Sequence, residues 1–160
     1  MAIPEFVLAL RSRVGHDLLW LTGVTSVVLD DDRVLLVRRA DDGRWTPVTG
    51  IVDPGEEPAD AGVREVLEES GVVARPERLA LVQTLAPITY ANGDRSQYMD
   101  LVFRMRWVEG APHPADGDNT DARWFALDDL PELDADMRRR IEVALEPDGA
   151  ARFHSAGSLV

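Results

Sequence analysis

Glu65, Glu68 and Glu69 stand at i, i+3 and i+4, a spacing that puts three carboxylates on one face of an α-helix. Like charges so placed repel and weaken a helix standing alone. A divalent cation relieves that repulsion. An oxygen-only, carboxylate-rich site suits Mg²⁺, with Mn²⁺ as a substitute, and Mg²⁺ completes its shell with water and substrate phosphates. The candidate chemistry is therefore a phosphate-handling metal site. A run of Glu on a helix is also the ordinary look of a solvated face, so the neighbouring residues must decide.

The three glutamates lie inside Gly50–Val72, which fits the pattern G-x5-E-x7-R-E-U-x-E-E-x-G-U, U being aliphatic, without exception. Its fixed positions are Gly50, Glu56, Arg64, Glu65, Glu68, Glu69 and Gly71. At usual residue frequencies, a chance match is on the order of 10⁻⁸ per starting position. The stretch resembles the Nudix box of the Nudix hydrolase family, the MutT-like pyrophosphohydrolases. That resemblance implies an α/β fold, a mixed β-sheet sandwiched between helices (α/β/α). It also implies hydrolysis of a nucleoside diphosphate linked to another group, water attacking phosphorus with Mg²⁺ as cofactor. Both a nucleoside triphosphate and an ADP-ribose or nucleotide-sugar substrate fit.

The same resemblance assigns roles. Glu68 and Glu69 are metal ligands, Glu65 is a ligand or the general base, and the Gly50 carbonyl is a further ligand candidate. Glu56 and Arg64 form a bridge that holds the loop on the helix. A distal acidic ligand is expected from the loop before Trp124, where Asp116, Asp118 and Asp121 are available and Asp118 is the choice. Relatives commonly carry Glu at that place. Just before the box this chain reads Pro47-Val48-Thr49-Gly50, where many relatives have Pro-Gly-Gly.

The elements that position these residues can be read from physics alone. Asp53-Pro54-Gly55 is a turn, and Pro58 suits a first helical turn, where no N–H is needed. A helix is expected over Pro58–Ser70, stopped by Gly71. Val63, Val66 and Leu67 form its expected apolar stripe, against a sheet, with the glutamates turned toward the loop. Gly62 inside that helix costs stability relative to Ala and suggests close packing.

Upstream, residues 4–14 read as an amphipathic helix. Thr22–Leu29 and Arg33–Arg39 read as strands joined at Asp30-Asp31-Asp32, and a short strand around Trp45–Val48 feeds the box. Downstream, Arg78–Thr89 and Gln97–Val108 are extended and connected through Asn92-Gly93, a hairpin signal. In the second of these, Leu101, Phe103, Met105 and Trp107 read as the core face. Ala122–Ala126 is another strand, a helical region is expected to begin at Asp128 or Asp129, and a helix covers Ala135–Leu145, ended by Pro147-Asp148-Gly149. The order β-β-β-α-β-β-β-α indicates a mixed sheet flanked by helices. Residues 1–21 form a lead-in that caps the domain or serves as a dimer arm, 22–148 the domain, and 149–160 a loose tail.

Substrate phosphate calls for a cation. Adjacent strand residues face opposite sides, so only one of Arg38 and Arg39 reaches a cleft, and the resemblance favours Arg39. Arg44 follows in the next turn. Trp45, Tyr90 and Tyr98 are stacking candidates for a planar group, whereas Trp20, Trp107 and Trp124 read as core. His16, His113 and His154 lack paired ligand spacing.

The 160 residues carry 17 basic and 29 acidic side chains, net −12. A duplex or anionic-membrane binder needs a basic patch, so neither nucleic acid nor membrane is an expected partner. The absence of cysteine excludes disulfides and thiol chemistry. The N-terminus lacks a basic start followed by an apolar run, so it reads as a mature cytoplasmic sequence. A monomer and a homodimer are both compatible with it. The alternative function is a non-catalytic sensor of nucleotides on the same fold. Such proteins typically lose box carboxylates, and this chain keeps them.

Overall fold

A computed structural model describes residues 3–146 and 149–160. In chain order the elements begin α1 (Glu5–Val14), β1 (Leu19–Asp30), β2 (Arg33–Arg39), β3 (Trp45–Thr46), β4 (Val48–Ile51) and α2 (Pro58–Ser70). They continue β5 (Val73–Thr84), β6 (Ile88–Thr89), β7 (Arg95–Glu109), β8 (Asn119–Ala126), α3 (Ala135–Leu145), β9 (Arg152–Ser155) and β10 (Ser158–Leu159).

The centre of the sheet is β1, whose residues from Gly23 to Leu29 are buried on both faces. A strand so buried needs cover above and below. It runs parallel to β7 from Leu19↔Ser96 to Leu29↔Arg106. Its other edge is shared. Gly23–Ser26 pair antiparallel with β4, and the Leu29–Asp30 end turns through Asp31, at φ 51°, into β2. Strand β2 in turn holds β3 and β8, and β7 holds β5 and the short β6.

Helix α2 covers one face, where Val66 packs with Val28, Leu35 and Met105. Helix α3 covers the other, where Ile141 and Ala144 meet Val27, Leu36, Leu81 and Val102. The result is an α/β/α sandwich with a mixed sheet. Gly62 explains itself at this contact. A Cβ there would lie 2.5 Å from Met105 Cε and 2.8 Å from Ser26 Oγ, and Ser26 Oγ donates to the Gly62 carbonyl at 3.2 Å.

Several expectations change. Leu67 is half exposed; the buried stripe of α2 is Ala61, Gly62, Val66 and Ser70, flanked by Glu65 and Glu69. Leu67 lies about 100° round the helix from Val66, so it cannot share that contact. In β7, Val102 is fully buried because both sheet faces are covered there, while Trp107 near the strand's far end is exposed, as is Trp20. Only Trp124 of the three tryptophans packs against a core. Residues 127–134 are not helical. Leu127, Leu130 and Leu133 lie on the α3-side core in a turn and an irregular stretch, and α3 is capped by Asp134, whose side chain accepts from Met137 N–H. The Pro147-Asp148 stop lies outside the described residues.

The two ends of the chain also pack. The tail forms β9 and β10; β9 adds a parallel strand to the edge of β5 (Leu81↔Arg152, Val82↔Phe153), and Leu159 reaches the α3-side core. An open sheet edge accepts such a strand through its unpaired backbone groups. Arg11 of α1 donates to the carbonyls of Asp17 (2.6 Å) and Arg95 (2.5 Å) and to Ser96 Oγ (3.1 Å). That pins α1 beside the start of β7. Among the described residues, no helix is long and apolar enough to cross a membrane.

Candidate active site

The turn 53–56 and the first half of α2 are knotted by one guanidinium. Arg64 meets Glu56 with two parallel bonds of 2.9 Å, Glu65 at 3.0 Å, Glu68 at 3.2 Å and the Ile51 carbonyl at 3.2 Å. Glu56 also accepts from Asp53 N–H, which closes the turn. The bidentate fork is the geometry that favours Arg over Lys, and Arg64's pKa is raised, Glu56 being the main cause.

Gly50 is fixed by sterics. A Cβ at that position would overlap Cγ, Cδ and Oε1 of Glu65. The strand thus runs against a carboxylate that no other residue would leave room for. Glu65 is 3% and Glu69 5% exposed, whereas the Glu68 side chain is 53% exposed and turned to Arg64. Burial pushes the Glu65 carboxyl up, against the pull of Arg64. Burial likewise pushes Glu69 up to about 7, opposed by a hydrogen bond from Asn119 and reinforced by the charge of Glu65. Glu56, Glu65 and Glu68 share the guanidinium of Arg64, and Glu69 lies buried beside them with Asn119 as its hydrogen-bond donor and Arg39 as a cation felt at longer range. The site carries more buried negative charge than its own residues offset.

That imbalance is the test of fit for a cation. Buried charges need partners, and a hard divalent ion with oxygen ligands would supply the missing one. Among the described residues, no three carboxylate or imidazole groups already stand in ligating geometry. The donor set nevertheless suits such an ion: Glu65 and Glu69 inside, Glu68 at the rim.

Beside this cluster opens a cavity of about 1410 Å³, bordered by Gly50, Glu69, Arg39, Tyr90 and Asp118 among others. Arg39 reaches it while Arg38 turns to the Gly43 carbonyl at 3.0 Å. Both lie at a bulge: Arg38 faces Asp121 and Arg39 faces Asn119, so Thr120 is the extra residue on β8. Bulges commonly re-aim side chains at sites. Arg39 is held by Asp41 at 2.9 and 2.5 Å and also feels Glu69. Arg44 bonds Asp42 and reaches Asp134 at 3.3 Å, tying its turn to the cap of α3. Tyr90 and Tyr98 share a hydroxyl contact of 2.9 Å on the cavity wall.

Trp45 is elsewhere. It packs edge-on against Phe125 at 4.8 Å, with Arg123 over its ring. Its neighbour Thr46 borders the cavity instead, as strand alternation requires. Asp118 borders the cavity and its carbonyl accepts from Ala40 N–H. The residue that touches Glu69 is Asn119, at 3.1 Å, which the sequence reading missed. Asn119 follows Asp118 directly and opens β8, and both border the cavity. Gly71 ends α2 at φ 67° with His113 packed against it, and the loop donates from His113 and Ala115 N–H to the Ser70 and Glu69 carbonyls.

The NUDIX domain model matches residues 20–144. The chain belongs to the NUDIX family. It is a Nudix hydrolase by family, and relatives of this Nudix chain carry hydrolase and pyrophosphatase names. It is 32% identical over 111 residues to a MutT-like protein of Streptomyces ambofaciens, covering 69% of this chain and 66% of that one. It is 35% identical over 111 residues to the NAD-capped RNA hydrolase NudC of Pseudomonas aeruginosa, covering 68% of this chain. The match spans only 37% of that relative's length. A crystal structure of an ADP-ribose pyrophosphatase from Streptococcus suis superposes with a TM-score of 0.66 at 20% identity, covering 84% of this chain and 98% of the other. At that identity the likeness is one of fold.

Proposed function

We propose that this Nudix chain is a cytoplasmic Mg²⁺-dependent pyrophosphohydrolase that cleaves a nucleoside diphosphate linked to a second, bulky polar group. The observation that carries the reading is a buried, charge-excess carboxylate pair, Glu65 and Glu69, beside a cavity whose wall holds Arg39. Glu65, Glu68 and Glu69, with the Gly50 carbonyl and Asp118, would hold Mg²⁺, or Mn²⁺ in its place. When bound, the ion neutralises phosphate charge and lowers the pKa of an attacking water. Displacement at phosphorus otherwise needs positioning and electrostatics rather than covalent help.

The chain's own residues supply that positioning. Arg39 draws the substrate's phosphates toward Glu69 and exchanges its Asp41 partner for them. Asn119 orients Glu69, and the Glu56–Arg64 fork keeps the turn against the helix. Tyr90 borders the substrate, and Arg44 braces the rim. A cavity of about 1410 Å³ exceeds the usual ligand pocket of roughly 300–1,000 Å³. That favours a two-ended nucleotide-sugar substrate, of which ADP-ribose is an example, over a triphosphate.

The test is a Mg²⁺-supplemented panel of nucleotide sugars, ADP-ribose, nucleoside triphosphates and dinucleoside polyphosphates, with Glu69→Gln run in parallel. Cleavage of a two-ended substrate by the wild type, lost in the variant, is the expected result. Cleavage that survives in Glu69→Gln, or none in either protein despite nucleotide binding, overturns the reading.

A further inference from the structure

The same cavity has a second polar wall that the reaction does not use. Arg140 of α3, 4% exposed, donates from one nitrogen to Thr25 Oγ1 at 2.8 Å, where Asp100 lies at 3.5 Å, and from the other to Asp136 at 2.5 Å. Thr25 donates to Asp100 at 2.8 Å, and Gln83 donates to the other Asp100 oxygen at 3.1 Å. Arg139 donates to Gln83 Oε1 at 3.0 Å and also pairs with Asp136. All six of these residues border the cavity.

Two features set this cluster apart from a mere structural clamp. Two arginines meet two aspartates, so the cluster is neutral by its own residues. Its Gln83 amide is also locked against flipping: an arginine can only donate to it and a carboxylate can only accept. That leaves one Nε2–H and one Oε1 lone pair of Gln83 uncommitted. Among the described residues, the Nε atoms of Arg139 and Arg140 are buried with no partner.

The neighbouring floor suits a planar ring. Tyr98 lies two residues before Asp100 on β7, hence on the same face, and Gly23 lies two before Thr25 on β1. A Cβ at Gly23 would sit 3.4 Å from the Tyr98 ring, so glycine leaves that space open. Leu85, Ile88 and Tyr90 continue this apolar wall. A ring lying on it would turn an edge toward Gln83 and Arg139.

We propose that Gln83, locked between Arg139 and Asp100 and set beside the Tyr98 wall, selects the nucleobase by reading a donor–acceptor edge of the ring. The proposal rests on the pyrophosphohydrolase reading for its place in catalysis and names what that site recognises. Neutral pairing, not charge, is the recognition. A site built to hydrogen-bond discriminates strongly against a ring that leaves its polar groups unpaired.

The test is calorimetric binding to the full chain in EDTA, where no turnover occurs. The ligands are AMP, GMP, CMP, UMP and ribose 5-phosphate. One nucleotide should bind at least about tenfold tighter than the other three and than ribose 5-phosphate. In Gln83→Leu that preference should collapse while ribose 5-phosphate binding is unchanged. Arg139→Met, at a half-exposed position, gives the same readout if Gln83→Leu does not fold. Equal affinity across the bases, no binding, or a preference that survives both variants overturns the proposal. An inactive protein that still ranks the bases sinks the hydrolase reading and keeps this one; an active enzyme indifferent to the base does the reverse.

Discussion

The box cluster and the cluster under α3 are both buried and polar, and they are built on opposite plans. In the box cluster one guanidinium, Arg64, pairs with three carboxylates, Glu56, Glu65 and Glu68, and a fourth, Glu69, lies buried beside them. In the cluster under α3, Arg139 and Arg140 face Asp100 and Asp136, and the charges cancel. The first, on the proposed reading, would take up a cation; the second is complete in charge and open only in hydrogen bonding. Both depend on the guanidinium fork, since a chain with no lysine bridges several acceptors at once by planar geometry. The difference teaches that burial of charge is not by itself a sign of catalysis. The uncancelled remainder is the sign.

The largest effect that would break this contrast is Glu69→Gln, which removes charge but keeps shape. Turnover of the proposed substrate should fall by at least about 10²-fold with the fold retained, measured by steady-state kinetics and circular dichroism. Arg140→Met acts on the other cluster. It leaves Asp100 buried without its cation, and should cost about 3–5 kcal/mol of stability, read from denaturant unfolding. A loss under about 1 kcal/mol would mean that the α3 network is not held by charge.

A third expectation concerns pH in metal-free protein. Glu69 has its folded pKa raised to about 7 by burial, so the folded state holds a proton that the unfolded state gives up. The stabilisation is complete below the ordinary carboxylate pKa and is lost as pH rises through about 7. Stability in EDTA should fall by on the order of 3 kcal/mol across that window, and by much less in Glu69→Gln. The balanced cluster should contribute little to the slope. Thermal melts in EDTA across pH 4–8 check both. The smallest effect is expected from Gly50→Ala, which forces Glu65 aside. About 1–3 kcal/mol of overpacking cost is expected, with activity lost in step, and an unchanged melt would remove the steric account of Gly50.

The same contrast explains what the sequence made legible. The box cluster is local: Glu65, Glu68 and Glu69 lie on one helix, where spacing puts them on one face, and the resemblance to the Nudix box added the bridge from Glu56 in the preceding turn to Arg64. The α3 cluster joins Thr25 to Arg140 and Gln83 to Arg139, positions brought together only by the parallel β1–β7 pairing and the docking of α3. No local periodicity encodes that. Fold errors follow the same line. Leu67 fits a helical stripe, yet the contact with the sheet is made through Ala61, Gly62 and Val66. The leucines of 127–134 repeat at helical spacing, but they reach the core from a turn and an irregular stretch instead. The tail gave no pattern because its strand exists only through the free edge of β5.

Mn²⁺ titration followed by electron paramagnetic resonance, on wild type and Glu69→Gln at pH 8, measures the uncancelled charge most directly. The expected result is binding by the wild type that Mg²⁺ displaces, weakened at least about tenfold in the variant. Equal Mn²⁺ affinity in the two proteins would contradict the claim that the box cluster is built to receive a cation.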